Sequence, residues 1–326
     1  MTSTERTVST RHLVDPETLP LLDFFQPFDF TVATLPAVRE RQIAPQPAAP
    51  DPDELFPGVI RTEHSIPGLD GDPDVGIVFY EPAERAAPAP AMVWIHGGGF
   101  IIGTAANEDL VCRRISAETG AVVASVDYRL APETPAPGSV HDCYAALRWV
   151  HENAESLGVD TARVAIGGPS AGGGLSACLA ILARDRGEYP VTFQLLIYPM
   201  LDDRTASTVD PGPYVGEFIW TPASNRFGWA SLLGHEPGGE GVSPYASAAR
   251  VTSVEGLPPT FISVGALDLF AEEDIDYARR LLRAGIPIEL HVYPGGYHGF
   301  NMAPDARITE AYFRDMIGAL RRHFNG

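Results

Sequence analysis

Runs of apolar residues alternate with amphipathic segments along most of this 326-residue chain. Eight runs are long enough to form strands, and most of them are apolar throughout rather than alternately apolar and polar. A continuous apolar run is typical of a parallel strand that is buried on both faces of a sheet. The predicted strands lie at 59–66, 75–80, 91–96, 121–127, 163–166, 193–198, 260–264 and 288–293.

Helices are predicted between most of these strands, and the alternation gives the fold class. The predicted helices lie near 107–119, 139–156, 171–185, 272–284 and 306–324. The first two strands are joined by a turn-rich stretch at 67–73 and are expected to form an antiparallel pair. Strand–helix alternation indicates an α/β fold with a doubly wound, mostly parallel sheet of about eight strands.

The segment 1–50 does not show this alternation of strands and helices. It holds a cluster of aromatic residues and ends in a proline-rich connector. Such a connector separates the aromatic arm from the rest of the chain, and the aromatic arm itself needs a surface to cover.

A second interruption comes after the strand at 193–198. About 60 residues separate that strand from the next, which is too long for a structureless loop in a compact domain. We interpret 203–245 as an inserted cap segment that contains a helix near 222–233. The predicted organisation is a cap made of 1–50 and 203–245 over a core made of 51–202 and 246–326.

Composition and charge narrow the class of protein. Hydrophobic residues make up 45% of the chain, enough for a large core. The net charge of −19 disfavours a nucleic-acid partner, because a phosphate backbone would be repelled. Three widely separated cysteines do not indicate a disulfide framework. The first twelve residues are polar and no run reaches 18 apolar residues, so we expect a cytoplasmic protein without a membrane span.

A serine lies where a predicted strand passes into a predicted helix. Ser170 has glycine two residues before it, at Gly168, and two residues after it, at Gly172. This spacing is typical of the nucleophile elbow, a strained turn that exposes the serine hydroxyl at the end of a strand. A glycine turn that serves only close packing has the same five-residue pattern, but the flanking strand and helix favour the functional interpretation.

A serine hydroxyl needs a base and an orienting carboxylate to act as a nucleophile at neutral pH. Asp268 comes after the strand at 260–264, and the acidic residues beyond it fit the first turn of a helix. Of the nine histidines, His298 alone lies in a glycine-flanked loop after the last strand. These two residues are therefore the candidate acid and base.

An oxyanion needs fixed N–H donors, and a glycine loop can supply them. His96 ends the strand at 91–96, three glycines come directly after it, and Ala171 offers an amide next to the serine. His96 is expected to hold its loop by hydrogen bonds. A glycine loop can alternatively bind phosphate. Neither of the phosphate-binding patterns GxxxxGK(S/T) and GxGxxG is present there. No motif indicates a metal site or a cofactor.

Together these motifs resemble those of the hormone-sensitive-lipase-like family of α/β-hydrolase esterases, in family order. The resemblance runs from about residue 75 to the C-terminus. The matching motifs are His96-Gly97-Gly98-Gly99-Phe100, Asp127-Tyr128-Arg129-Leu130-Ala131-Pro132-Glu133, Gly168-Pro169-Ser170-Ala171-Gly172-Gly173, Asp268 before its helix, and His298-Gly299-Phe300.

The resemblance implies an α/β-hydrolase fold with helices on both faces of the sheet, a helical cap and no cofactor. It implies a carboxylesterase that hydrolyses short to medium acyl esters through an acyl-enzyme. The roles carried over are Ser170 as nucleophile, His298 as base, Asp268 as orienting acid, and the amides of Gly98, Gly99 and Ala171 as the oxyanion hole.

Two positions depart from the family pattern. Pro169 precedes the serine where the family usually has an acidic or small residue, so any contact of that side chain is lost. Ala136 stands where an aromatic residue is common, which would enlarge or repack a wall near the site.

Substrate selection is assigned to the cap. Its aromatic residues are expected to line an apolar pocket, and the candidates are Phe24, Phe28, Phe218 and Trp220. The strand at 288–293 is expected at a sheet edge, which leaves a homodimer open. A small-molecule binding protein of the same fold, and an amidase, lactonase or acyltransferase, remain the alternatives, because the elbow fixes the acyl chemistry and not the acceptor.

Overall fold

A computed structural model describes residues 8–24, 30–43 and 51–325 of the chain. In these residues an eight-stranded sheet forms the centre of the molecule. Its strands are Val59–Ile66 (β1), Val75–Pro82 (β2), Ala89–Ile95 (β3), Val122–Asp127 (β4), Val159–Pro169 (β5), Phe193–Ile197 (β6), Thr260–Gly265 (β7) and Ile288–Tyr293 (β8).

The strands lie in the order β1-β2-β4-β3-β5-β6-β7-β8. β2 pairs antiparallel with β1 and with β4, and the other pairs are parallel. The predicted antiparallel first pair and the predicted mostly parallel sheet are both confirmed. The chain passes from β3 to β4 on one side of β3 and then returns from β4 to β5 on the other side. The direction of winding reverses at β3, which sends helices to both faces.

The helices occupy the intervals predicted for them. α4 and α10 pack together, α5 and α7 pack together, and members of each pair contact the sheet. The α-helices of the described residues are Leu19–Phe24 (α1), Leu35–Ile43 (α2), Pro52–Leu55 (α3), Asp109–Thr119 (α4), Gly138–Glu152 (α5), Ala154–Leu157 (α6), Ala171–Arg186 (α7), Pro222–Leu233 (α8), Ala271–Arg283 (α9) and Arg307–Asn325 (α10). No helix in this part of the chain is long and apolar enough to cross a membrane.

Burial along the strands agrees with their sequence patterns. Every residue of β3 and of β7 is buried, as their unbroken apolar runs predicted. β1 and β8 lie at the two edges and expose part of each strand. The core therefore lies on both sides of the central strands, and their carboxyl ends form a rigid base for the site.

β5 is longer than its predicted four residues. Gly167, Gly168 and Pro169 remain in the ladder and pair with β6 as far as Ile197. Glycine and proline are poor strand formers, so the sequence indicated an earlier end. Main-chain pairing with a central neighbour extends the strand, and it brings the chain directly to Ser170.

The inserted segment contains α8 where a helix was predicted. Thr221 caps its start by accepting from the amide of Ser224, and Gly234 ends it in the left-handed conformation. Asp203 anchors the root of the segment: its buried carboxylate accepts from the Arg250 guanidinium at 2.7 and 2.8 Å. Burial opposes this charge, but the hydrogen bonds of Arg250 outweigh it and hold the pKa of Asp203 below its usual value.

Candidate active site

Ser170 lies in the sharp turn between β5 and α7. Its backbone has φ 57° and ψ −121°, a conformation that is strained for a residue with a side chain. Main-chain bonds hold the turn: the Ser170 amide donates to Ile197 at 2.8 Å, and its carbonyl accepts from Met200 at 3.0 Å. The serine is 6% exposed.

The two glycines of the elbow let it approach the end of β3. A Cβ atom added to Gly168 or to Gly172 would lie 1.9 Å from the carbonyl oxygen of Ile95. No side chain fits at that distance, so the glycines are required by close contact between backbones. The contact places the serine beside the loop after β3.

The structure brings together the three residues that the sequence singled out for nucleophilic chemistry. Ser170 Oγ and His298 Nε2 lie 2.9 Å apart, and His298 Nδ1 lies 2.9 Å from Asp268 Oδ2. Asp268 is fully buried after β7, and its other oxygen accepts from the Phe270 amide at 3.1 Å. Both distances are those of hydrogen bonds. A carboxylate that accepts from Nδ1–H holds the imidazole with Nε2 facing the serine hydroxyl.

Two aromatic rings fix the position of the imidazole. Tyr198 and Phe270 meet the ring of His298 edge-on, at centroid distances of 4.8 and 5.3 Å. The Tyr198 hydroxyl donates to Asn301 at 2.8 Å, which holds that ring in turn. The sequence reasoning missed both residues. Each lies at or near a strand end that the pattern did identify, but no motif marked them.

The glycine loop after β3 lies beside Ser170. A Cβ on Gly97 would be 3.6 Å from the Ser170 Cβ. The carbonyl of Gly98 accepts from the amides of Ile101 and Ile102, both at 3.0 Å, which closes the loop into a turn. Across the described residues, the amides of Gly98, Gly99 and Ala171 donate to no protein acceptor. These are the three amides that the resemblance assigned to the oxyanion hole.

His96 holds the base of this loop. Its Nδ1 donates to the Gly97 carbonyl at 2.7 Å, and its ring stacks on Tyr128 at 4.1 Å. Burial lowers the pKa of His96 to about 4, so the ring is neutral at physiological pH. The expected structural role of His96 agrees with these contacts.

Trp220 covers the site from the inserted segment. A Cβ on Gly99 would lie 2.0 Å from the indole Cη2, so the ring rests directly on the glycine loop. Its centroid is 6.3 Å from that of His298, and its Nε1 donates to Asn225 at 3.2 Å. Phe218 is only partly buried, and its ring meets that of Tyr297 edge-on at a centroid distance of 5.8 Å.

The two aromatic candidates in the N-terminal segment have different outcomes. Phe24 is 83% exposed, so it lines no apolar pocket in this structure and that assignment is corrected. It ends α1 on the solvent side, whereas Leu22 turns inwards. Phe28 lies outside the described residues. The sequence reasoning did not select Phe30, whose ring centroid lies 5.8 Å from that of Trp220.

The two residues that depart from the family pattern, Pro169 and Ala136, lie where elements around the site contact one another. Pro169 ends β5 opposite Ile197, with its ring beside Gly97. The Ala136 amide donates to the Leu232 carbonyl at 2.8 Å, which ties that loop to the end of α8. Within 8–24, 30–43 and 51–325, no group of three or more His, Cys, Asp or Glu residues is placed to hold a metal ion.

Comparison with known proteins gives concordant matches over most of the chain. A family model described as alpha/beta hydrolase fold matches residues 92–302. A carboxylesterase named NlhH from Mycobacterium tuberculosis is 38% identical over 305 residues, which cover 91% of each chain. The esterase LipI from the same organism is 33% identical and covers 100% of both chains. A solved bacterial heroin esterase is 42% identical, with a TM-score of 0.87 over 97% of this chain and 99% of that one.

Proposed function

The chain belongs to the α/β-hydrolase fold family and is a carboxylic ester hydrolase, and we propose that Ser170, His298 and Asp268 are the residues that carry its chemistry. The observation that supports this assignment is the hydrogen-bonded relay of the three side chains, with 2.9 Å at each link. The proposed substrates are short to medium acyl esters of small molecules, cleaved through an acyl-enzyme.

The proposed reaction begins with attack of Ser170 Oγ on the ester carbonyl. His298 Nε2 accepts the hydroxyl proton, while Asp268 stabilises the imidazolium through Nδ1–H. The carbonyl oxygen becomes an oxyanion that accepts from the amides of Gly98, Gly99 and Ala171.

Collapse of this intermediate expels the alcohol, which takes the proton from His298. Water then attacks the acyl-enzyme by the same route, again with His298 as base. The step releases the carboxylic acid and restores the serine.

The cap is the proposed selector of substrate, through Trp220 and Phe218 on the inserted segment. Trp220 contacts the glycine loop and faces His298, so a bound ester must share its space with the indole. We also propose a cytoplasmic location. The three cysteines are free and buried, which suits a reducing compartment.

The test is hydrolysis of p-nitrophenyl esters from acetate to palmitate, with Ser170→Ala alongside. We expect the rate to peak at short or medium chains, and the variant to lose a factor of about 10⁴ or more in kcat. Ser176→Ala is the matched control. This serine is buried on α7, the helix that follows Ser170, and donates only to the Gly172 carbonyl, so activity should persist.

Three other outcomes would each redirect the assignment. Most activity retained by Ser170→Ala would remove Ser170 from the mechanism. Binding of esters without turnover would favour a small-molecule binding protein. A faster reaction with amide or lactone substrates, or with an added alcohol as acceptor, would favour an amidase, a lactonase or an acyltransferase.

A further inference from the structure

One arginine of the N-terminal segment reaches two loops beside the site. Arg39, on α2, donates from Nε to the Ile101 carbonyl at 2.8 Å and from Nη2 to the Ala131 carbonyl at 2.8 Å. The same guanidinium donates to both carboxylate oxygens of Glu133, at 2.9 and 3.0 Å. The Arg39 side chain is 28% exposed. These four hydrogen bonds all run from α2 to loops of the core.

Ile101 belongs to the turn that presents the candidate oxyanion donors. In that turn the Ile101 amide donates to the Gly98 carbonyl, and the Phe100 carbonyl accepts from the Ala131 amide at 2.9 Å. Phe100 has a φ of 69°, which is unfavourable for a residue with a side chain. A strained turn keeps its shape only where the surrounding contacts determine it fully. Arg39 supplies two of those contacts, one on the turn and one on the loop that supports it.

We propose that Arg39 is a positioning residue for the oxyanion hole, holding the amides of Gly98 and Gly99 through the carbonyls of Ile101 and Ala131. The inference rests on the proposed function. Oxyanion donors act only when they are aimed at the site where charge develops, so a small displacement lowers the rate of acyl transfer. Seating of α2 and formation of the oxyanion hole are thereby coupled.

The planar fork of arginine is needed for this arrangement. It can donate in several fixed directions at once, whereas a lysine ammonium is a compact charge on a flexible stem. Glu133 is 63% exposed, so the ion pair with Arg39 contributes little by itself and serves to orient the guanidinium. Arg39 in turn lowers the pKa of the Glu133 carboxyl through their hydrogen bonds.

Arg39→Lys tests the proposal because it keeps the charge but cannot make both carbonyl bonds. Arg41→Lys is the matched control, since Arg41 is exposed on the same helix. Two quantities are measured: kcat normalised by active-site titration, and Ki for an aryl trifluoromethyl ketone, whose serine adduct carries an oxyanion. For Arg39→Lys we expect about a 10- to 100-fold loss in kcat, a matching rise in Ki and a KM within about threefold of wild type.

Normalised kcat and Ki refer to the folded fraction alone, so partial misfolding does not hide the result. Arg39→Gln, which also loses the charge, should fall at least as far. An unchanged normalised kcat and Ki in both variants would overturn the proposal, as would an equal effect of Arg41→Lys. Absence of ester turnover in the wild-type enzyme would instead be a failure of the proposed function.

Discussion

The indole of Trp220 lies between the glycine loop and the aromatic residue Phe30, at the proposed substrate pocket. It is 5% exposed, and its Nε1–H is already paired with Asn225. We therefore expect it to act on a substrate by its bulk rather than by a polar contact. At the scale of single residues, this ring is the part of the proposed pocket that rests directly on the glycine loop.

Trp220→Ala is expected to shift the chain-length preference towards longer acyl groups. Each added methylene that finds apolar space is worth about 1 kcal/mol or more in transition-state binding, so longer esters should gain about tenfold or more relative to acetate. The measurement is kcat/KM along the p-nitrophenyl ester series. The chain-length preference of Trp220→Phe should lie between those of Trp220→Ala and the wild type.

The opposite result is also informative. If Trp220→Ala lowers kcat/KM by the same factor for every ester, the ring supports the triad and does not limit the substrate. The assignment of Trp220 to substrate selection would then be withdrawn.

Among the elements, the close contact between β3, β5 and α7 positions Ser170. Gly172 lies in the first turn of α7, next to the carbonyls of Ile95 and His96, and a Cβ there would lie 1.9 and 2.5 Å from those oxygens. Both oxygens belong to the backbone, so they cannot move aside as a flexible side chain would. The helix, the elbow and the glycine loop therefore fit together only with glycine at this position.

Gly172→Ala should cost about 3 kcal/mol or more of unfolding free energy, because overpacking of rigid backbone forces the elements apart. Urea unfolding measures the loss, and activity should fall with it. Gly239→Ala is the control, since an added Cβ there meets no atom within 4 Å. Equal stability of the two variants would contradict the close packing described for the elbow.

The sequence predicted those parts of this region that leave a pattern of residue types, and it missed those that depend on contacts between distant residues. The apolar runs located β3 and β7 within one or two residues, and the glycine–serine spacing located the elbow. The end of β5 was missed because its last three residues are held by pairing with β6, against their own propensities. Arg39 was missed because its two hydrogen bonds to the loops beside the site go to main-chain carbonyls, which leave no pattern in the sequence. Phe24 and Phe30 could not be told apart, since aromatic content alone does not say which ring turns inwards.

For the molecule as a whole, the N-terminal segment is tied both to the inserted segment and to the core. Glu217, three residues before Trp220, accepts from the amide and the hydroxyl of Thr10 at 2.5 and 2.6 Å. The Tyr297 hydroxyl, next to His298, donates to the Thr18 carbonyl at 3.0 Å. With Arg39 these contacts fasten the N-terminal segment around the site. They support the proposed division of the chain into a two-part cap and a core.

A homodimer formed through β8 is the corresponding proposal at the surface. β8 is an edge strand that pairs only with β7 among the described residues, and it exposes Leu290 and Val292 by 37 and 40%. Edge strands of this kind pair readily with a second chain. Each copy carries a net charge of −19, so repulsion between copies should weaken as salt screens it, and the dimer should become tighter at higher ionic strength.

Light scattering coupled to size-exclusion chromatography tests this by mass, with twice the 35.0 kDa of one chain expected for the wild type. A Leu290→Lys/Val292→Lys variant places two charges in the apolar stripe and should elute as a monomer at the same concentration. Ile60→Lys is the control, because Ile60 is an exposed apolar residue of β1 at the opposite edge of the sheet.

A monomeric wild type at all salt concentrations, or a dimer that survives the double substitution, would remove β8 as the interface. Since the substituted strand lies at the sheet edge and Ser170 follows the central β5, ester hydrolysis by the monomeric variant should persist.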